Sequence, residues 1–368
     1  MPQLDFLGAF YDQRFTHTSL LAGMEGLVSS RYCREVRALP FYCPECSSWW
    51  EARPHHASPR TTLLRRDEGI SLFDVSTQYT EKGHDKQVSG RVFLYEHPTF
   101  PGVHVVMTAG QSELFRRALR PFIDRHYPRA LTTFISHRKL RKLLDQFMAH
   151  EHLTDVRIKR ASVRVRSGDT EGKKRVIPLV AWPDMTLDEA FDWVSQQNGW
   201  FQSLQFEVHR QGLVGSLSFS REGELRTDSV FRAAFLHFIE PVCKTLHDNV
   251  RFFQRRSRQD NEAGAVRPLV IDFETQQFET VDENQRFIGA MRRFPRSSVS
   301  VLHGNPYIHL SVLDYYDGSS FDVWVLDSNS IVIVPQFRGS VSAIKRLINH
   351  VFDTYAEGRI KDYQGVER

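Results

Sequence analysis

Two groups of residues have the types and spacing for chemistry. The first is built on Cys43-Pro44-Glu45-Cys46, two of the four cysteines in the 368 residues. Proline inside a Cys-x-x-Cys turns the backbone so that both sulfurs can face one metal. Cys33 upstream and His55 downstream would complete a tetrahedral structural zinc site with no open position for a reaction. The same stretch also reads as a hydrophobic Cys/Trp-rich turn of reduced thiols, and the spacing alone leaves both readings open. The second group is the basic run at residues 155–175, which holds eight Lys/Arg against three acids. Read as a strand, it puts Val156 and Ile158 on one face and Arg157 and Lys159 on the other. After Arg160 the phase slips, and Ala161, Val163 and Val165 become the apolar set. A bulge near Lys159 and Arg160 would keep Arg157, Lys159, Arg160, Arg164 and Arg166 on one face, with Lys173, Lys174 and Arg175 following. Evenly spaced cations on a sheet face suit a row of phosphates, or a solvated edge kept from aggregating by charge.

Neighbouring cations extend this surface. Arg116, Arg117 and Arg120 lie on one amphipathic helix, and Arg138, Lys139, Arg141 and Lys142 crowd the first turns of the next. Cations near a helix N-terminus oppose the macrodipole, so an external anion is the natural compensation there. Arginine suits bidentate phosphate contacts. The basic segments carry few interleaved aromatics, which favours duplex DNA over single strands; among nucleic acids, DNA is the expected partner over RNA.

A third motif, Val270-Ile271-Asp272-Phe273-Glu274-Thr275, resembles the first motif of DEDD-type 3′–5′ exonucleases. Asn349-His350-Val351-Phe352-Asp353 resembles their second. The resemblance implies Asp272, Glu274 and Asp353 as metal ligands of a nuclease. Simple alternation in a strand, with Leu269, Ile271 and Phe273 inward, also explains the first pair, and the expectation is that Asp272 and Glu274 are structural.

These residues are positioned by an expected α+β architecture. Residues 1–66 read as irregular, with one helix at 19–29 and the Cys-rich loop. Residues 67–153 read as a β-meander followed by two basic helices, the second capped by Ser136 and striped by Leu140, Leu143, Leu144 and Phe147. Residues 154–260 and 267–368 read as two meander-plus-helix modules in tandem, joined by a polar linker at 259–266. Gln211-Gly212, Glu222-Gly223, Gly304-Asn305 and Asp317-Gly318 supply the turns. Pro121 is expected to kink its helix, and Pro241 to start a second helical half. In element order the modules resemble the saddle of the TATA-binding-protein fold and the helix-grip fold. That resemblance implies an architecture and no function.

Composition narrows the class. Hydrophobic residues make up 41% and charged residues 25%, which excludes a disordered chain, and no apolar run approaches a membrane span. Few cysteines and no secretory leader make a cytoplasmic protein the expectation. Walker, G-x-S-x-G, G-x-G-x-x-G and H-E-x-x-H motifs are absent. The residues therefore point to a non-enzymatic nucleic-acid-binding protein in a larger complex. A metal-dependent nuclease and an interaction subunit for an acidic protein partner are the alternatives.

Overall fold

The computed structural model describes residues 9–46, 50, 59–110, 112–151, 153, 155–165, 174–177, 185–197, 199–210, 213–258, 267–305, 307–325 and 327–363. Helix α1 (His17–Ser29) precedes strand β1 (Val36–Tyr42). A meander follows, with β2 (Arg60–Asp67), β3 (Ile70–Glu81), β4 (His84–Glu96) and β5 (Val103–Ala109). Helix α2 comprises three contiguous segments, Ser112–Leu114, Phe115–Leu119 and Arg120–Arg125. Strand β6 (Leu131–Thr132), helix α3 (His137–Glu151), strands β7 (Asp155–Val165) and β8 (Lys174–Ile177) and helix α4 (Leu187–Gln196) come next. Strands β9 (Gly199–His209), β10 (Leu213–Ser220) and β11 (Leu225–Thr227) then lead to helix α5, again in three segments: Phe231–Ala234, Phe235–Ile239 and Glu240–Gln254. The last stretch holds β12 (Leu269–Phe273), α6 (Val281–Arg292), β13 (Ser297–His303), β14 (Ile308–Asp314), β15 (Ser320–Val325), β16 (Ser330–Pro335), α7 (Val341–Thr354) and β17 (Gly358–Asp362).

The chain is a mixed α+β protein with two antiparallel sheets, in two compact units. The first unit comprises Met1–Arg164 and Lys174–His247; the second comprises Val165–Lys173 and Asp248–Arg368. In the first unit an 11-stranded sheet runs β2-β3-β4-β5-β1-β11-β10-β9-β7-β8, with β6 beside β1. Strands from 1–66, 67–153 and 154–260 thus share one sheet. In the second unit the order is β13-β14-β15-β16-β12-β17. No helix among the described residues is long and apolar enough to cross a membrane.

Strand order adds what element order does not carry. In residues 269–354 the first strand, β12, pairs with the last meander strand, β16. The N-terminal stretch repeats this: β1 pairs with β5 and not with β2. In residues 155–254 the first strand, β7, lies instead beside the first meander strand, β9. The two stretches that share an element order in the sequence therefore differ in strand order, and the match lies between β1–β5 and β12–β16.

Helices α2 and α5 carry the same local device. Each passes through one wide turn, Phe115–Leu119 or Phe235–Ile239, in which the N–H of Arg120 or Glu240 reaches back five residues to Phe115 or Phe235. A proline follows immediately in both. Its ring clashes with the carbonyl four residues back and supplies no N–H, and a π-turn accommodates both defects. Pro121 and Pro241 are thus absorbed without ending either helix.

Buried side chains lie on both faces of the N-terminal half of the first sheet. Leu39, Phe41, Phe73, Val75, Val92 and Leu94 pack with Phe115, Phe122 and Trp50. On the other face Phe93 meets Phe10 and Phe15 at 6.0 and 5.3 Å. In the C-terminal half the inward residues of β9 and β10 pack under α5. Phe206 and Phe219 lie 6.3 and 5.2 Å from Phe238. The opposite face of this half is polar, and it positions the candidate site.

Candidate functional site

The polar face is fixed by pleat and register. Arg37 of β1 stands opposite Arg226 of β11, Arg226 opposite Ser218 of β10, and Ser218 opposite Gln205 of β9. Residues paired across a sheet share a face, so these four form one row. Ser216 with Glu207 and Ser220 with Ser203 make parallel rows. All are half-exposed. Strand β7 extends the face. Val156, Ile158, Ala161 and Val163 are buried, whereas Arg157 and Arg160 are exposed and Lys159 and Arg164 half-exposed. The change of burial phase falls at Lys159 and Arg160, as the residue pattern implies.

Carboxylates are interleaved among these cations. Arg37 bridges Glu35 and Glu224 at 2.6 and 3.0 Å, and Arg226 reaches Glu35 at 3.4 Å. Lys159 meets Glu207 at 2.9 Å and Arg157 meets Asp155 at 2.7 Å. On α2, Arg116 pairs with Glu113 at 3.0 Å, Arg117 with Glu81 at 3.0 Å, and Arg120 with Asp124 at 2.9 Å and also with Glu222. Arg37 lies 5.7 Å over the Phe115 ring, which places α2 beside the polar face. Arg138 and Lys142 are exposed on α3 and Lys139 is half-exposed, while Arg141 is tied to Asp145 and Asp188. Arg157, Lys159, Arg160 and Arg164 thus share the outward side of β7, with Lys159 tied to Glu207 of β9, whereas Arg116, Arg117 and Arg120 lie apart on α2 in ion pairs of their own. Arg166, Lys173 and the side chains of Lys174 and Arg175 lie outside the described residues, as does the 259–266 linker.

His137, at the head of the same basic helix, has a different role. Its ring sits 4.6 Å from Phe191 and 5.3 Å from Phe201, and burial, then the charge of Arg221, pushes its pKa down to about 4. The neutral ring is part of the packing. Between an unfolded value near 6.5 and a folded value near 4 the unfolded chain binds the extra proton, so stability rises with pH across that window. The contribution is complete above pH ~6.5 and is lost as pH falls. Acidification from pH 7.5 to pH 5 should cost about 2 kcal/mol through this residue. Urea midpoints at the two pH values should show His137→Gln losing much of the wild-type difference.

The cysteines do not converge. Cys43 and Cys46 are both buried and hydrogen-bonded to each other, and burial raises the Cys46 thiol far above its usual range. The Cys43 amide donates to Gly102 before β5, whereas Cys33 lies against Gly110 after it. The seven residues of β1 separate the two ends by roughly 20 Å. A tetrahedral site needs its sulfurs within ~4 Å of one another, so Cys33 is not a fourth corner for Cys43 and Cys46. A strand hidden between the cysteines is the reason. His55 lies outside the described residues.

Asp272 sits on the half-exposed face of β12 and Glu274 is exposed just past its end; both pair across to β17, Asp272 with Lys361 and Glu274 with Arg359 at 3.4 Å. Asp353 lies on α7, next to the inward Phe352. Cross-strand charge pairing accounts for Asp272 and Glu274.

One cluster was illegible because four distant segments build it. His97 accepts the amides of Thr99 and Phe100 at Nδ1, 3.1 and 3.2 Å, so its Nε2 carries the proton and donates to Glu240 at 2.8 Å. His17 stacks on Tyr95 at 4.5 Å, with its Nε2 3.9 Å from Glu240. His17 and Tyr95 line a cleft of about 510 Å³ with Glu68, Glu96 and Pro101. Burial lowers the His17 pKa, opposed by Glu240. The network ties α1 and β4 to the proline turn of α5.

Comparison of the chain with protein-family models and with curated proteins returns no match.

Proposed function

We propose that the protein binds nucleic acid without catalysing a reaction, and that the polar face of the 11-stranded sheet receives a duplex backbone. The observation that carries this reading is the register-fixed row Arg37–Arg226–Ser218–Gln205, continued by Lys159, Arg157 and Arg160 on β7. Cations and hydroxyls in rows on a sheet face supply charge and donors to successive phosphates.

The carboxylate lattice sets the energetics. Phosphate must displace Glu207 from Lys159 and Asp155 from Arg157, so each contact gains less than a free cation would. Four phosphate contacts from β7 would give a salt slope of about −3 to −4, at about −0.9 per contact. The interleaved acids make Glu207 a competitor of the ligand. Glu207→Gln should therefore tighten binding to an unrelated 20-base-pair duplex severalfold. Reversal of Lys159 and Arg160 to glutamate should weaken it and flatten the slope by about 2. Anisotropy titrations from 50 to 200 mM salt read both. Binding unchanged by the reversal would remove β7 from the interface.

A further inference from the structure

We infer that the second unit carries a separate platform for single-stranded nucleic acid at one end of its sheet, formed by Tyr315, Phe337, Arg296 and Arg338. The partner class rests on the nucleic-acid reading above; the surface does not. Three connections converge here. The Tyr315 amide donates to the Arg296 carbonyl at 2.9 Å, joining the β14–β15 turn to the α6–β13 connection. The Ser320 amide donates to the Phe337 carbonyl at 2.9 Å, and Arg338 Nη1 to the Asp317 carbonyl at 2.6 Å, joining the same turn to the β16–α7 connection.

The side chains on this frame are unusual for a soluble surface. Tyr315 is 61% and Phe337 64% exposed, and Tyr316 beside them is 45% exposed. Large rings are normally buried, so two at this exposure on one loop cluster mark an interaction surface. The arginines are placed against rings: Arg296 lies 4.9 Å over Tyr316 and Arg338 5.5 Å over Phe337. Both have left-handed backbones, φ +53° and +57°. A non-glycine residue pays for that conformation, and such outliers gather at functional positions. Among the described residues neither guanidinium has a carboxylate partner, unlike Arg116, Arg117, Arg120, Arg141 and Arg157 in the first unit. Asp314, the buried acid at the start of the same turn, is held by Arg346.

Exposed rings beside guanidiniums that no carboxylate neutralises match the chemistry of a single strand. Unpaired bases offer their faces to Tyr315 and Phe337, and the backbone offers phosphates to Arg296 and Arg338. A duplex hides its base faces in its own stack, and so gains only the charge contact here. A 12-nucleotide mixed-sequence strand and its duplex, both fluorescently labelled, test this with the full chain at 100 mM salt. Tyr315→Ala combined with Phe337→Ala should weaken single-strand binding at least tenfold and leave duplex binding unchanged. Tyr315→Phe combined with Phe337→Tyr should keep it. Because both rings are exposed, an unchanged melting temperature should confirm that the fold is intact. Single-strand binding that is absent, or is insensitive to ring removal, overturns the platform even where the duplex binds through β7. Ring-dependent single-strand binding without duplex binding keeps the platform and sinks the duplex reading instead.

Discussion

Replacing Arg346 with methionine should destabilise the β12–β17 unit by about 3–5 kcal/mol, the usual cost of stranding a buried charge. Asp314 is fully buried, and its Oδ1 takes Arg346 Nη1 at 2.8 Å and the Tyr316 amide at 2.9 Å. The guanidinium also donates from Nη2 to the Pro295 carbonyl at 2.6 Å and lies 3.9 Å over Tyr316. One side chain thus neutralises a buried acid and fastens the α6–β13 connection to the β14–β15 turn. Burial raises the Asp314 pKa, opposed by the Tyr316 amide and by Arg346. Loss of Arg346 would raise it further. A carboxyl whose folded pKa exceeds its unfolded one binds more protons when folded, so the variant should recover stability as pH falls towards 4. Arg346→Met with Asp314→Asn should recover most of the loss at pH 7, because the stranded charge is then gone. Denaturant unfolding of the single and double variants measures this, and a single variant as stable as wild type would refute the charge argument.

What the sequence disclosed follows from which forces are local. Helices α3, α4, α6 and α7 and the meanders β9–β11 and β13–β16 carry their own periodicity, turn residues and caps, so they were legible as helices and meanders. The Lys139 amide takes the expected cap, Ser136 Oγ, at 3.2 Å, and Thr186 and Glu189 make a reciprocal capping box on α4. Strand β1 was hidden in the region read as irregular. Pro40 interrupts its ladder donors, and nearly all its positions are buried, so no alternation marks it. Strand β2 was hidden in the same region, because Arg60, Arg65 and Arg66 leave it no buried apolar alternation. The phase slip in β7 was visible because only neighbours along one strand define it. The acid that answers Lys159 was not, since Glu207 arrives through strand pairing across a long stretch of chain. The aromatic platform was equally hidden: Tyr315-Tyr316-Asp317-Gly318 reads as a turn, and only the fold sets Arg296 and Phe337 beside it.

Phe238→Ala should cost the first unit about 3–5 kcal/mol, the range for truncating a buried aromatic. The ring is fully buried at the π-turn of α5 and lies 5.1 Å from Phe147 of α3, 6.3 Å from Phe206 of β9 and 5.2 Å from Phe219 of β10. It therefore joins two helices to the sheet half whose other face carries the cation rows. Removing it opens a cavity among three rings that cannot all collapse inward, so the transfer loss and the cavity loss add. Leu236 provides the internal control. It lies in the same wide turn, two residues earlier, and is 44% exposed. Leu236→Ala should change stability by less than about 0.5 kcal/mol, because alanine is no worse a helix former and little apolar area is uncovered. Comparing urea midpoints of the two variants separates packing from the local conformation of the turn. Equal losses would mean that the π-turn itself, and not the aromatic junction beneath it, holds α5 to the sheet.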